Sequence, residues 1–361
     1  MALLFMDGFD NYNTQTNLSQ NGWAILDNGN TPCSFVAGQY PTNTGLAINW
    51  ISGYNTGLIR GLGSNLSTVI CGTSLKASTL SGYGGTVFFG LCDSAGSSNT
   101  IQIMLVANAN LNNILVYRGN NTSNLIGSTP AGSLICGIWQ YVELQATISS
   151  SVGAITIRVN GITVLNLSNV NTQVTANAYC NSVMLNCAGV SGDLTPNGDG
   201  SCGAWDDFYI CDTTGSAPTN TFLGDVRVTT LFPTADGSQD DFTPNGLTPN
   251  YLNVNTPNPN SLINYNSSNT PTDLDLFTVS TLNNYTIFGT AMMTYSSKDD
   301  AGERSIANLI REGATDYQLP TSAVSSVGQY DYGLMAINPI TSAAWTSADI
   351  ANLQIGYTII T

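Results

Sequence analysis

Apolar and polar residues alternate through much of the first two hundred positions. Val142, Leu144, Ala146 and Ile148 interleave with Tyr141, Glu143, Gln145 and Thr147, the period of two that gives a strand one apolar face. The next segment places Asn160-Gly161 between two similar runs. A type I′ turn needs two residues that tolerate φ > 0, and Asn-Gly is its strongest short signal. Pairing across that turn predicts Ile155, Ile157, Val159, Ile162 and Val164 on one face. Further strands are predicted over 86–91, 101–106, 114–118, 182–186 and 205–211, and again near 286–295 and 304–311. One helix is predicted. Thr346-Ser-Ala-Asp349 reads as a capping box before a turn or two that ends near Gly356. No heptad run or internal repeat appears, which excludes a coiled-coil shaft. The pattern predicts an all-β chain: an antiparallel β-sandwich of jelly-roll type, followed by a second β-rich domain with a short C-terminal helix.

Composition sharpens this. Of 361 residues, 42% are hydrophobic, enough for one large or two ordinary cores. Only 9% are charged, against about 25% in ordinary domains. The scarcity of Lys and Glu, which favour exposed helix faces, argues against a helical protein. Asn, Thr, Ser and Gly fill the polar positions, so the predicted solvent faces are rich in hydroxyls and amides.

A polar break at Asp212-Thr-Thr-Gly-Ser-Ala-Pro-Thr-Asn220 reads as a linker. All eight cysteines precede it, from Cys33 to Cys211. Residues 1–213 carry a net −6 and residues 214–361 a net −9. The expected division is 1–213, a linker over 214–221, and 222–361. Within the second part, 233–272 is rich in Asn, Pro and Thr and is expected to be a long loop region that makes contacts. The cysteines have no C-x-x-C pair. They read as buried thiols, with pairing of Cys180 with Cys187, or Cys202 with Cys211, as the alternative.

The net charge of −15, with eight scattered basic residues, excludes nucleic acid and anionic membrane as expected partners. No apolar stretch approaches the roughly 20 residues that span a bilayer. The start is acidic by Asp7 and lacks a cleavage pattern, so synthesis in a cytosol without a signal peptide is expected.

Several motifs together carry a resemblance. They are Asp7-Gly8-Phe9-Asp10, the Val159-Asn160-Gly161 hairpin and the strand opening Trp205-Asp206-Asp207-Phe208. In the second part they are Gly224-Asp-Val-Arg-Val228, Pro233-Thr-Ala-Asp-Gly237, Asn250-Tyr-Leu-Asn-Val-Asn255, Lys298-Asp-Asp-Ala-Gly302 and the 339–346 segment. In this order they resemble the LamG-like, concanavalin-type jelly roll of phage structural proteins, and the β-rich C-terminal half of the same proteins. The resemblance implies a virion protein made in a host cytoplasm. Such a protein assembles with other virion proteins and with copies of itself in a symmetric array, as fibre, tail or decoration component. An adhesin module that binds a host-surface glycan is the alternative.

The chain contains no histidine, which removes Ser-His-Asp and Cys-His catalysis. Concanavalin-type glucanases carry a Glu-x-Asp-x-Glu strand, whereas here Glu143 is flanked by Tyr141 and Gln145. Asp206 and Asp207 are adjacent, and strict alternation would point them to opposite faces. No catalytic function is therefore expected. No cofactor is expected beyond a candidate Ca²⁺ loop at Asp193, Asn197 and Asp199, whose oxygens suit a hard cation. An ordinary Asn/Asp/Gly turn explains that loop equally, and the full EF-hand pattern is missing. Trp50, Tyr54, Tyr83 and Tyr117 are candidate sugar-stacking residues, against the alternative that strand aromatics fill cores.

Overall fold

The computed structural model describes residues 3–26, 33–40, 44–49, 57–77, 79, 86–93, 101–120, 122–186, 201–257 and 263–361. The chain forms two compact units: residues 1–10 with 14–229, and residues 11–13 with 230–361. Both are built of antiparallel sheets, and the chain is nearly all β.

The strands of the first unit are β1 (Leu3–Asp7), β2 (Trp23–Leu26), β3 (Cys33–Ala37), β4 (Thr44–Asn49) and β5 (Gly57–Leu66). They continue with β6 (Thr68–Ala77), β7 (Thr86–Cys92), β8 (Ile101–Asn108), β9 (Asn113–Arg118) and β10 (Leu125–Ser128). The last are β11 (Trp139–Thr147), β12 (Gly153–Val159), β13 (Ile162–Val170), β14 (Cys180–Asn186) and β15 (Ser201–Cys211). One sheet runs β13-β12-β11-β6-β15-β4-β3, with β1 also paired to β15; the other runs β10-β9-β8-β7-β14-β5-β2. This is a β-sandwich of jelly-roll type.

Register explains where the core lies. Leu58, Leu185, Phe89, Leu105 and Val116 stand opposite one another across the second sheet. This row faces the first sheet, since Phe89 meets Phe208 of β15 at 6.3 Å. Trp23 joins the same cluster, 5.7 Å from both Phe5 and Phe208. The adjacent row, Ile59, Met184, Gly90, Met104 and Tyr117, alternates to the other face. Its side chains are buried in a second apolar cluster with Val87 and Val106. The sheet is apolar on both faces, so its strands read as continuous apolar runs.

In β11 the predicted apolar face holds: Val142, Leu144, Ala146 and Ile148 are buried. Tyr141 and Glu143 on the opposite face are buried too, because residues 222–228 lie over them. Glu143 Oε1 accepts from Tyr209 Oη at 2.7 Å and from the Gly224 amide at 2.8 Å. Arg158 stands 3.5 Å from Glu143 Oε2 and packs on the Phe222 ring. Tyr209 Oη accepts from the Leu223 amide, and Asp207 Oδ1 from the Val228 amide at 2.7 Å. These bonds attach 222–228 to the first unit. The structural division accordingly falls at 229/230, beyond the compositional break at 212–220.

The Asn160-Gly161 hairpin has φ of 49° and 77°, and Val159 pairs with Ile162. Its predicted face is only half right. A register shift sets Ile157 opposite Leu165 and Arg158 opposite Thr163. Leu165 and Leu167 therefore join Ile157 and Ile155, while Ile162 is 69% exposed. A second irregularity changes the chemistry. Between Asp206 and Tyr209, β15 spends one residue more than β6, and Asp207 takes φ 50°. This bulge overturns the expected alternation. Asp206 accepts from the Gln39 amide and Asp207 from the Val228 amide, and both carboxylates lie near Tyr40 and Asp10.

In the second unit, β16 (Pro233–Asp240), β17 (Thr243–Asn245), β18 (Tyr265–Ser267) and β19 (Leu274–Val279) lead to β20 (Thr290–Ser296), β21 (Ser305–Glu312) and β22 (Thr315–Gln318). β23 (Ser322–Ala323), β24 (Gln329–Met335) and β25 (Leu353–Ile359) complete it. The main sheet runs β16-β19-β25-β21-β22, with β23 on β21. The predicted C-terminal helix is Ser347–Asn352, and Thr346 and Asp349 form the capping box. The 233–272 region is not the long loop expected. It supplies β16, β17 and β18, and Phe242 packs with Phe277, Ile306 and Tyr357. Its asparagines serve the core: Asn250 donates to Phe242 O and to buried Asp275, and Asn266 donates to Tyr357 Oη.

Burial pushes the Asp206 and Asp207 carboxyls up, Asp207 raises Asp206 further, and Asp10 raises both. A carboxyl raised in the fold stabilises it fully below its unfolded value near 4. That contribution is lost as pH rises to about 8, where Asp206 ionises. The denaturant midpoint should therefore fall between pH 5 and pH 8.5. Asp207→Asn, which tolerates the left-handed backbone and keeps an acceptor for Val228, should make that fall shallower. An unchanged slope would contradict this.

Candidate functional site

Two edge strands, β10 of one sheet and β13 of the other, approach each other in the first unit. Beside them the turn between β9 and β10 meets the chain leaving β13, and a hollow of about 350 Å³ opens. The turn lines it with Arg118, Gly119, Asn120 and Asn124; the other wall is Asn171, Gln173 and Val174. The lining is amide and guanidinium, with no carboxylate.

The wall is fixed from behind by residues buried in the sandwich. Gln102 is fully buried. Its Nε2 donates to Asp93 Oδ2 at 3.1 Å, Thr175 Oγ1 at 3.0 Å and Asn177 O at 2.9 Å. Its Oε1 accepts from the Val174 amide at 2.6 Å, and its carbonyl from the Gly119 amide at 2.8 Å. One residue thus holds both sides of the hollow, the turn through its main-chain carbonyl and the far wall through its side chain. Asp93 Oδ2 also accepts from Asn177 Nδ2 at 3.1 Å and from Thr175 Oγ1. Thr172, also fully buried, donates to Thr147 O at 2.7 Å and accepts from the Ser149 amide. Asn171 closes a local turn by accepting from the Gln173 amide, and the Gln173 side chain donates to Thr175 O. On the turn side, the Arg118 amide donates to Asn124 O. Gly119 has φ 74°, and a Cβ there would stand 3.3 Å from Val174, so glycine lets the two walls approach.

The tips are different. Among the described residues, the side chains of Arg118, Asn120 and Asn124 make no hydrogen bond or ion pair within the chain. Fixed walls with unspent donors describe a site ready for a polar ligand.

The residues expected from sequence fall elsewhere. Tyr117 is 6% exposed and belongs to the apolar row beneath β9. Its ring is a core element and offers no face to a sugar. Trp50, Tyr54 and Tyr83, and the loop of Asp193, Asn197 and Asp199, lie outside the described residues. Among the described residues, no group of three His, Cys, Asp or Glu side chains is placed to hold a metal ion. Cys71, Cys92, Cys136, Cys180 and Cys211 are free thiols. Burial pushes those of Cys92 and Cys180 up to about 12, which keeps them unreactive. Cys187 lies outside the described residues. The hollow itself left little trace in the sequence. Its signal is the spacing of Asn120 and Asn124 around a turn that follows a predicted strand, which composition alone does not separate from other turns.

No protein-family model and no curated protein matches the chain. Solved structures do. An endo-β-1,4-glucuronan lyase from the fungus Trichoderma reesei matches at 17% identity over 53% of this chain and 91% of its own, with a TM-score of 0.39. The alginate lyase Aly36B matches at 13% identity over 57% and 95%, TM-score 0.38. The cellulose induced protein Cip1 matches at 15% over 57% and 96%, TM-score 0.41. At these identities the likeness is one of fold. Two expectations are corrected by it. The non-catalytic virion role is set aside, because the similar structures include a glucuronan lyase and an alginate lyase and those named include no virion component. The exclusion of catalysis falls with it. Absence of histidine and of Glu-x-Asp-x-Glu removes particular catalytic routes only.

Gln102 is the test of the site's construction. Gln102→Leu removes the donors to Asp93 and Asn177 and the acceptor for Val174. It should destabilise the first unit by roughly 2–4 kcal/mol, the cost of leaving buried polar groups unpaired. Chemical denaturation followed by tryptophan fluorescence measures it, and a loss below about 0.5 kcal/mol, the level of an ordinary surface substitution, would contradict the role assigned to Gln102.

Proposed function

We propose that the first unit recognises carbohydrate, and that the hollow between the β9–β10 turn and residues 171–174 is where a sugar is held. The observation that carries this reading is the pairing of fixed walls with unspent amides. Sugar hydroxyls both donate and accept, and an Asn or Gln side chain offers one acceptor and two donors in a plane. Asn120 and Asn124 present such groups from the turn, and Gln173 and Asn171 face them across the hollow. The volume lies at the small end of the roughly 300–1,000 Å³ of small-molecule sites, space for about one or two sugar rings. Because Gln102 and Thr172 hold the walls before any ligand arrives, little ordering cost remains for binding. The rest of the surface agrees in kind. It is poor in charge and rich in hydroxyls and amides, groups that contact a polyol without desolvating ions.

The test is calorimetry or affinity electrophoresis of the full chain against a panel of neutral and acidic oligosaccharides. Binding is expected for at least one of them. Asn124→Ala and Asn120→Ala should each weaken it by roughly fivefold, the worth of about one hydrogen bond. Both side chains lie at the surface without partners in the chain, so the variants should keep the wild-type melting temperature. Binding that is indifferent to both substitutions would move the site elsewhere, and no binding across the panel would refute the reading.

A further inference from the structure

We infer that Arg118 makes this hollow selective for a sugar that bears a carboxylate. The inference rests on the carbohydrate reading above and names the substrate class of the same site.

The chain has eight cationic side chains and 23 carboxylates. In such an excess of acid, an arginine finds a partner unless its position is kept clear of one. The other cations follow that rule. Arg158 faces Glu143, Arg304 faces Asp300 and Arg311 faces Asp316. Arg60 donates to Asn21 O and stacks on Phe5. Arg227 lies over Tyr40, Lys298 donates to Gly302 O, and Lys76 is also engaged. Among the described residues, the guanidinium of Arg118 alone has no hydrogen-bond, ion-pair or ring partner.

Its surroundings keep it so. Among the described residues, no Asp or Glu lines the hollow. The nearby buried acid, Asp93, spends Oδ2 on Gln102, Thr175 and Asn177. Among the described residues, the hollow thus offers a cation without a partner on a chain of net −15. A guanidinium offers a planar fork of donors that matches a carboxylate in two parallel bonds, whereas a single hydroxyl uses only part of it. Around the fork stand neutral amides, suited to the hydroxyls of the same ring.

The same charges limit the anion. One cation balances one negative charge, and the field of the whole chain repels dense polyanions. A uronic-acid unit, with one carboxylate per ring and the rest hydroxyls, fits these terms better than a multiply sulfated sugar.

The experiment compares three ligands on the intact chain by calorimetry. They are a glucuronic acid tetrasaccharide, the same tetrasaccharide after reduction of its carboxyls to give glucose, and a sulfated glucose tetrasaccharide. The uronate should bind about tenfold tighter than its reduced form, as one charge-assisted hydrogen-bonded pair provides. It should also bind tighter than the sulfated ligand. Arg118→Gln should erase the preference, and Arg118→Lys should restore part of it. Equal binding of uronate and reduced form would overturn the inference and leave the carbohydrate reading standing. So would a preference that survives Arg118→Gln, or tighter binding of the sulfated ligand. Failure of all three ligands would refute both. The ligand comparison on the unaltered chain decides the matter without relying on how any variant folds.

Discussion

A carboxylate in the middle of a sheet must be covered and bonded, and Glu143 imposes that demand on the first unit. It is fully buried on the face of β11 turned away from the sandwich core. Leaving such a charge without partners costs several kcal/mol. The chain meets the demand with Tyr209, Arg158 and the Gly224 amide. Gly224 can arrive only if residues 222–228 cross the sheet. That crossing buries Tyr141 and brings Val228 to Asp207. Gly72 lies beneath, where any Cβ would meet the Tyr209 ring at 2.4 Å. The polar face of an ordinary sandwich sheet thereby becomes a second layer, and the first unit extends to residue 229.

The same economy shapes the hollow. Gln102 lies on β8, inside the sheet, yet its bonds reach the turn after β9 and the chain after β13. Sandwich edges are where loops are least constrained by ladder bonds. A buried residue that ties one wall by its main chain and the other by its side-chain amide gives that edge a defined shape. Asp93 completes the arrangement by accepting from the residues Gln102 also contacts. Glu143 and Asp275 are charges used in construction, and among the described residues the Arg118 side chain makes no such bond.

Some things were settled by local patterning. Period-two alternation located β11, and apolar strand-forming runs located β7, β8, β9, β14 and β15, because an apolar strand face must meet a core whatever its neighbours are. Asn160-Gly161 located a hairpin, because few residue pairs tolerate that backbone. Thr346 and Asp349 located the last helix through a capping box that needs only four residues. Charge scarcity and amide richness pointed to surfaces made for neutral polar contact.

What local patterning did not hold was decided by packing between distant segments. Alternation places Asp206 and Asp207 on opposite faces; a bulge against β6 places both toward Tyr40. Tyr117 looks like a sugar platform by type, and only the row Ile59-Met184-Gly90-Met104-Tyr117 makes it core. Asn and Pro content makes 233–272 look loop-like, yet those amides are partners of Asp275 and Tyr357 from elsewhere in the chain. The hollow joins residues 118–124 to residues 171–174 through Gln102, separations that no window along the chain spans. Residue type and period act over a few neighbours, so the sequence by itself determined that this protein is a charge-poor β-sandwich protein with a second β unit. Which polar groups end up paired depends on who meets whom across the sheets, and only the tertiary structure decides that.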